Sequence, residues 1–342
     1  MASAISAEAT DISNLYTSPT NAASSSATRS KEIGNAYVFQ APGAMLPYLI
    51  AFLLVSIFGE ESIGREKLAL TNFQYFLLNF IGLVPSCAIA TLALRHSNQI
   101  SKLSPIKESS EGELNGKSKD ALSFSVACRD SYNRRNLLGC GVCWFLYDIA
   151  LYGTSLNLPE LLSSIFNSES SSKSLVSNIW HDLIVSSLAI PGVLVGLCSL
   201  NRIGIRKLQI YGFIVICVTS SLLAASSAYG VDDILLLVLS CLLIFSLNWG
   251  CSFSTYILPM EVFAPTVRTT FHGFSAGIGK FGGFIGGLLF SFLGEVNISL
   301  TFGICSLTSL LGVWMTHSFI STTKCRKSCS RPASIGDGHV IL

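Results

Sequence analysis

The hydrophobic positions of this chain form long unbroken runs, unlike the alternating or one-sided patterns of soluble strands and helices. Eight runs are nearly free of charge and are each about as long as the roughly 20 residues that span the hydrocarbon core of a bilayer as a helix. They lie at 37–58, 74–95, 137–156, 180–200, 208–228, 233–256, 271–293 and 299–320. Backbone groups in lipid must be satisfied within the structure, and a membrane barrel would instead show short alternating segments. The pattern therefore predicts an all-α, polytopic membrane protein with about eight transmembrane helices.

The polar stretches between these runs divide the chain into five parts. We predict the following parts in order: a polar Ser/Ala/Thr-rich segment (1–36), two helices (37–96), a cytoplasmic linker (97–136), six helices (137–320) and a basic cytoplasmic tail (321–342). The six runs after the linker fall into two groups of three, as expected for a transporter half built from inverted repeats. Because such a half needs a partner half and only two runs precede the linker, we expect four helices of the first half to be missing.

The basic residues are distributed unevenly along the chain. Half of the 342 residues are hydrophobic, 12% are charged and the net charge is only +2. When the segments between runs are assigned alternately to two sides, one side, together with Arg95 at the edge of its run, holds 18 of the 22 lysines and arginines. Basic residues are enriched on the cytoplasmic side of membrane proteins. We therefore expect both termini in the cytoplasm, and a multi-pass protein of the plasma membrane.

Two ionisable residues lie deep within apolar runs, where a charge costs at least about 2.5 kcal/mol and usually has a function. Asp148 is in the middle of WFLYDIALY, and Lys280 is in the middle of a glycine-rich run. Trp144, Asp148 and Tyr152 are spaced four apart, so they form one stripe along a helix. The simpler interpretation is that Asp148 and Lys280 neutralise each other and do nothing more. The glycine-rich run itself is typical either of a tightly packed interface or of a helix that slides or bends.

Catalytic chemistry is not indicated. Eight of the 11 cysteines fall within apolar runs, where they act as small packing residues, and the CxxC of Cys140 and Cys143 lacks the further ligands that zinc requires. The sequence contains no recognisable nucleophile with its base and no phosphate-cradling loop. We expect no enzyme activity, no cofactor, no metal and no nucleic-acid partner.

Two blocks resemble the phosphate:proton symporters of the major facilitator superfamily. RRNLLGCGVCWFLYDIALYG is similar to the start of the C-terminal half of that family, and NWGCSFSTYILPMEVFAPTVRTTFHGFSAGIGKFGGFIGG is similar to its tenth and eleventh helices. AYVFQAPGAML resembles the fifth helix, and NRIGIRKLQIYG resembles the loop between helices eight and nine. The resemblance implies a major-facilitator-type helical bundle, here partial.

The resemblance also implies roles for individual residues. It assigns substrate binding to six side chains, and proton coupling to the carboxyl group among them: Trp144, Asp148, Tyr152, Asn248, Ser252 and Lys280. Ser252 stands where the family has an asparagine. Charged residues of the cytoplasmic loops act as latches in this family, which implies gating roles for Glu261, Arg268 and Arg202.

Together these features predict secondary transport of inorganic phosphate coupled to protons. An ionised Asp148 repels phosphate while Lys280 attracts it, so protonating Asp148 makes the proton and the anion favour each other's binding. Two alternatives remain open: a truncated, non-transporting membrane protein or subunit, and a transporter of another solute. The partners expected are inorganic phosphate, protons and the lipid bilayer, with self-association or a missing N-terminal half to complete the molecule.

Overall fold

The computed structural model describes residues 33–59, 61–63, 67–69, 71–108, 124–166, 175–294 and 297–321. Most of the predicted N-terminal segment, the middle of the linker and nearly all of the basic tail lie outside the described residues. Within them, eight helical stretches are long and apolar enough to cross a membrane, which confirms the prediction. They are Ile33–Phe58, Asn72–Leu92, Ser131–Ser163, Leu175–Leu200, Ile205–Tyr229, Asp233–Val262, Val267–Leu293 and Ile298–Phe319.

The elements include one small hairpin among the helices. Before the linker come α1 (Gln40–Phe58), β1 (Glu61–Ile63), β2 (Lys67–Ala69) and α2 (Asn72–Glu108). After it come α3 (Phe124–Ala127), α4 (Ser131–Phe166), α5 (Leu175–Ser187), α6 (Ala189–Ile203), α7 (Ile205–Tyr229), α8 (Asp233–Trp249), α9 (Cys251–Val262), α10 (Pro265–Gly294) and α11 (Ile298–Phe319). Residues 33–37 form a further short helical segment ahead of α1.

The helices before the linker form a hairpin whose second arm faces outward. Strands β1 and β2 pair antiparallel, with Ser62 opposite Leu68. Helix α2 contacts α1 mainly near its start, where the buried Gln74 amide donates to the Gly59 carbonyl at 2.7 Å. Most of the apolar side chains that the structure describes in the rest of this helix are exposed, as suits a helix that faces lipid. The helix also continues to Glu108, well into the stretch predicted as linker.

Two of the apolar runs are each divided into two helices. A turn at Leu188 separates α5 from α6, three residues before Pro191, whose ring cannot donate a backbone hydrogen bond. Gly250 separates α8 from α9, and here the chain touches Gly212 of α7 backbone to backbone. A methyl group on Gly250 would meet the Leu208 carbonyl oxygen at 3.1 Å. This break therefore depends on the absence of a side chain.

Helix α4 lies at the centre of the six-span part. It packs along α10 and α11, and α7 also packs along α11. Helix α10 approaches α4 through glycines, since methyl groups on Gly282 and Gly286 would meet the backbone of Phe145 and Ile149. Close backbone contact of this kind is typical of membrane helix interfaces. It brings the middle of α10 against the face of α4 that contains Asp148.

The C-terminal end of α11 is fixed by side chains from α4 and α7. The Tyr132 hydroxyl donates to the Ser321 carbonyl at 2.8 Å, and Arg206 donates to the His317 carbonyl at 2.9 Å. Arg135 donates to the Ser318 carbonyl, and the Asn136 side chain accepts from the Ser321 amide at 2.8 Å. The last carbonyls of a helix have no partner within it and favour positive charge nearby. These contacts hold three helices together at the end predicted to be cytoplasmic.

Candidate functional site

The predicted acid and amine meet between α4 and α10. Lys280 Nζ lies 3.2 Å from Asp148 Oδ2 and forms an ion pair with it. The same ammonium donates to the Tyr152 hydroxyl at 3.4 Å and lies 5.4 Å from the centre of that ring. Asp148 is buried, with 1% of its surface exposed, whereas 64% of the Lys280 side chain is exposed. The pair is therefore one-sided, because the carboxylate is enclosed and the ammonium is open.

Glycines of α10 leave room for the large side chains of α4 beside the ion pair. Gly279 faces the Trp144 indole and Gly283 faces the Tyr152 ring, so any larger side chain there would collide with them. Because Trp144, Asp148 and Tyr152 share one face of α4, these glycines lie along the face that also contains Asp148. At Gly279 and Gly283, the glycine-rich run therefore forms a tightly packed interface. Methyl groups on Gly273 and Gly277 would meet nothing within 4 Å.

An aromatic cluster lies beside the ion pair. The buried Trp144 ring packs edge-on against Tyr256 of α9 and His272 of α10, with ring centroids 6.1 Å and 5.7 Å apart. Tyr256 and His272 are themselves 5.1 Å apart and almost perpendicular. Edge-to-face pairs at these separations stabilise packing beyond the area that they bury. The cluster thereby ties α9 and α10 to α4 at the level of Trp144.

Tyr37, from the short helix ahead of α1, reaches this cluster. Its hydroxyl lies 2.7 Å from the Ser252 hydroxyl. Its ring packs on those of Phe253 and Tyr256, with ring centroids 5.0 Å and 5.1 Å apart. It is also close enough to Asp148 to interact with it electrostatically. A residue before the linker therefore joins side chains that come after it.

Asn248 is placed differently from the other predicted substrate residues. Its amide donates to the Ile244 carbonyl one turn earlier at 2.9 Å, and its Cβ lies close to Gly192 of α6. Ser252 is buried and bonded to Tyr37, as described above. The structure thus brings Lys280 into contact with Asp148 and Tyr152, and places Trp144 on the same face of α4 against Gly279. Ser252 is linked to Trp144 through Tyr37 and the aromatic cluster.

The three predicted gating residues lie at helix ends. Glu261 is in the last turn of α9 and is half-buried. Arg268 is buried in the first turns of α10, and its Nε donates to the Phe263 carbonyl at 3.2 Å. Glu261 and Arg268 flank the connection between α9 and α10. Arg202 is exposed in the last turn of α6.

Two neighbours of the site, Tyr37 and His272, were not among the residues singled out from the sequence. His272 lies on the same helix as Lys280 and is a polar residue at the edge of an apolar run, which is the signal that could have found it. Tyr37 is at the very start of the first run, where a tyrosine is usually an interface anchor. Its role is visible only from the packing.

Comparison with known proteins identifies the class first. No family model matches the chain. A solved proton:xylose symporter of the major facilitator superfamily, bound to 6-bromo-6-deoxy-D-glucose, superimposes with a TM-score of 0.62 at 12% identity, covering 86% of this chain and 64% of that one. The chain therefore has the fold of a major facilitator superfamily transporter. The eight spans and this fold confirm a multi-pass membrane protein.

Sequence comparison finds relatives that are named as phosphate transporters. The chain is 33% identical over 297 residues to an inorganic phosphate transporter of Toxoplasma gondii, covering 84% of this chain and 47% of that protein. It is 31% identical over 159 residues to a repressible high-affinity phosphate permease of Neurospora crassa, covering 45% and 28%. The chain spans about half the length of the first of these relatives. The resemblance to inorganic phosphate transporters of the major facilitator superfamily that the sequence predicted is confirmed, and the prediction that the chain is not an enzyme is confirmed by these relatives.

Proposed function

We propose that this chain takes part in secondary active transport of inorganic phosphate across a membrane, coupled to protons. The observation that supports this most directly is the one-sided ion pair, in which the open Lys280 ammonium lies 3.2 Å from the enclosed Asp148 carboxylate. The names of the relatives support phosphate as the solute. The plasma membrane is the proposed location.

The proposed coupling is a competition for one positive charge. While Asp148 is ionised, it neutralises Lys280 and repels an approaching anion. When Asp148 takes up a proton, the ammonium is released to bind phosphate, and the Tyr152 hydroxyl beside it offers a hydrogen bond. Binding of the proton and of the anion therefore assist each other to the same extent, which is the requirement for symport.

The other predicted residues complete this mechanism. The Trp144 indole and the Ser252 hydroxyl contribute donors to the substrate site, with Asn248 on the helix that precedes Ser252. Glu261 and Arg268 act as a latch at the connection between α9 and α10, and Arg202 adds a charge at the end of α6. Alternating exposure of the site to the two sides of the membrane completes the cycle.

Uptake by the purified chain tests this function. We would reconstitute the full chain in liposomes and measure entry of labelled phosphate with and without an inward proton gradient. Wild type should show uptake that the gradient stimulates, and Asp148→Asn should lose that stimulation. Asp233→Asn, which removes an exposed carboxylate from the start of α8, is the matched control and should behave as wild type. If the gradient still stimulates uptake by Asp148→Asn, the role of Asp148 is wrong.

A second candidate is a subunit that binds phosphate only together with further helices. It is favoured by the face of α10 on which Lys280 is open, where a mid-membrane charge needs water or a polar partner. The same assay separates the two candidates. Uptake by the chain alone excludes the subunit, whereas no uptake by correctly folded protein excludes transport by this chain alone.

A further inference from the structure

A second carboxylate is buried within the membrane part of the chain, away from Lys280. Asp182 lies in the middle of α5, inside the span Leu175–Leu200, and only 8% of its surface is exposed. Its Oδ1 atom is fully buried and has no hydrogen-bond partner among the described residues. No ion pair joins it to a lysine, arginine or histidine within that part of the chain.

Asp182 faces the seam between α1 and α5. These two helices pack against each other, with the rings of Phe52 and Trp180 5.5 Å apart. Tyr48, half-buried on α1, interacts electrostatically with Asp182. Because α1 precedes the linker and α5 follows it, the carboxyl group lies where the two parts of the chain meet.

The other titratable groups on the neighbouring helices do not compensate a negative charge at this position. The adjacent His181 stacks on Phe166 of α4 at 3.8 Å, and its buried Nδ1 has no partner among the described residues. On the remaining helices packed against α5, the only lysines, arginines or histidines among the described residues are arginines exposed near helix ends: Arg134 and Arg135 on α4, and Arg202 on α6. The acidic groups on these helices are Asp148 and Glu160 on α4 and Asp233 on α8.

An ionised carboxylate without a cation or donor is strongly disfavoured in hydrocarbon, and protonation removes most of that penalty. We propose that Asp182 is a second proton-binding site of this protein, neutral while α1 and α5 are packed together and ionised when they separate and admit water. By linkage, loss of the proton favours separation of the two helices to the same extent that packing favours the proton. The proposal goes beyond phosphate transport and does not depend on it.

Infrared spectroscopy of the full chain in lipid tests whether Asp182 is protonated. A buried, protonated carboxyl group gives a C=O stretching band at neutral pH that ionised side chains lack. We expect this band in wild type and its loss in Asp182→Asn, which keeps the size of the side chain. Asp148→Asn should keep the band, because Asp148 is ion-paired with Lys280. A wild-type spectrum without the band, or a band unchanged in Asp182→Asn, overturns the proposal.

Hydrogen exchange tests the link to packing. Exchange of the amides in residues 175–187 would be followed by mass spectrometry in wild type and Asp182→Asn at each of several pH values. Comparison at equal pH cancels the intrinsic dependence of exchange on pH. We expect equal rates at acidic pH and a wild-type rate at least about fivefold higher at alkaline pH, the lower limit of a typical coupling. A ratio that does not change with pH overturns the link.

Discussion

At the scale of single residues, removing one partner of the ion pair between α4 and α10 should lower the stability of the protein more than removing the other. Lys280→Gln leaves a buried carboxylate without its cation, whereas Asp148→Asn leaves an ammonium that is already 64% exposed. We therefore expect Lys280→Gln to lower the midpoint of thermal unfolding in detergent more than Asp148→Asn does. The double variant should recover part of the loss, with a coupling of about 0.5–3 kcal/mol.

The control for this cycle is Lys207→Gln, which removes an exposed lysine near the start of α7. When Lys207→Gln is combined with Asp148→Asn, the changes in the free energy of unfolding should add, because Lys207 and Asp148 share no contact among the described residues. Additivity of Asp148→Asn with Lys280→Gln would instead mean that the ion pair contributes no stability.

The sequence predicts part of this site because helical periodicity is local. Positions 144, 148 and 152 lie on one face of any helix, so the stripe needed no tertiary information. The hydroxyl pair of Tyr37 and Ser252 joins residues 215 positions apart, and only packing brings them together. Asp182 was not singled out from the sequence, since an acid near the start of an apolar run is also compatible with a solvated helix end.

At the scale of helices, the contact between α4 and α10 depends on particular glycines and not on the whole run. Gly282 lies against the Phe145 backbone, whereas a methyl group on Gly277 would meet nothing within 4 Å. We expect Gly282→Ala to destabilise the protein by about 1–3 kcal/mol through overpacking. Gly277→Ala should be neutral or stabilise it by up to about 1 kcal/mol, because alanine favours the helix.

Thermal unfolding of the two variants in the same detergent checks this pair. Both carry the same chemical change on the same helix, so a difference between them reports the contact with α4. Equal midpoints would show that α10 can shift away from α4 without loss, which would favour the interpretation of this run as a sliding helix.

Helix boundaries were predicted less well than the existence of the helices. Hydropathy identifies a run of apolar residues but not the turns within it, so the breaks at Leu188 and Gly250 were not expected. The latter depends on the close approach of Gly212 from a different helix. Helix α2 continues to Glu108 because polar residues such as lysine and glutamate are good helix formers outside the membrane.

At the scale of the whole molecule, the placement of basic residues agrees with the anchoring of α11. Arg135 and Arg206 bind the last carbonyls of that helix, and both belong to the side that holds 18 of the 22 basic residues. Positive charge on the cytoplasmic side and positive charge at a helix C-terminus are independent preferences that coincide here. This coincidence supports the proposed orientation, with that end of α11 in the cytoplasm.

The orientation predicts which connections are accessible from outside the cell. Gly204, between α6 and α7, and Gly230, between α7 and α8, both have positive φ angles and open space around them, so each should tolerate an inserted epitope tag. Three basic residues, Arg202, Arg206 and Lys207, surround the first position, and two aspartates follow the second. We expect antibody to label a tag after Gly230 on intact cells, and a tag after Gly204 only after permeabilisation. Since α7 crosses the membrane once between them, the reverse labelling would invert the whole chain and place Arg202, Glu261 and Arg268 on the outer side, which would exclude their proposed role as cytoplasmic latches.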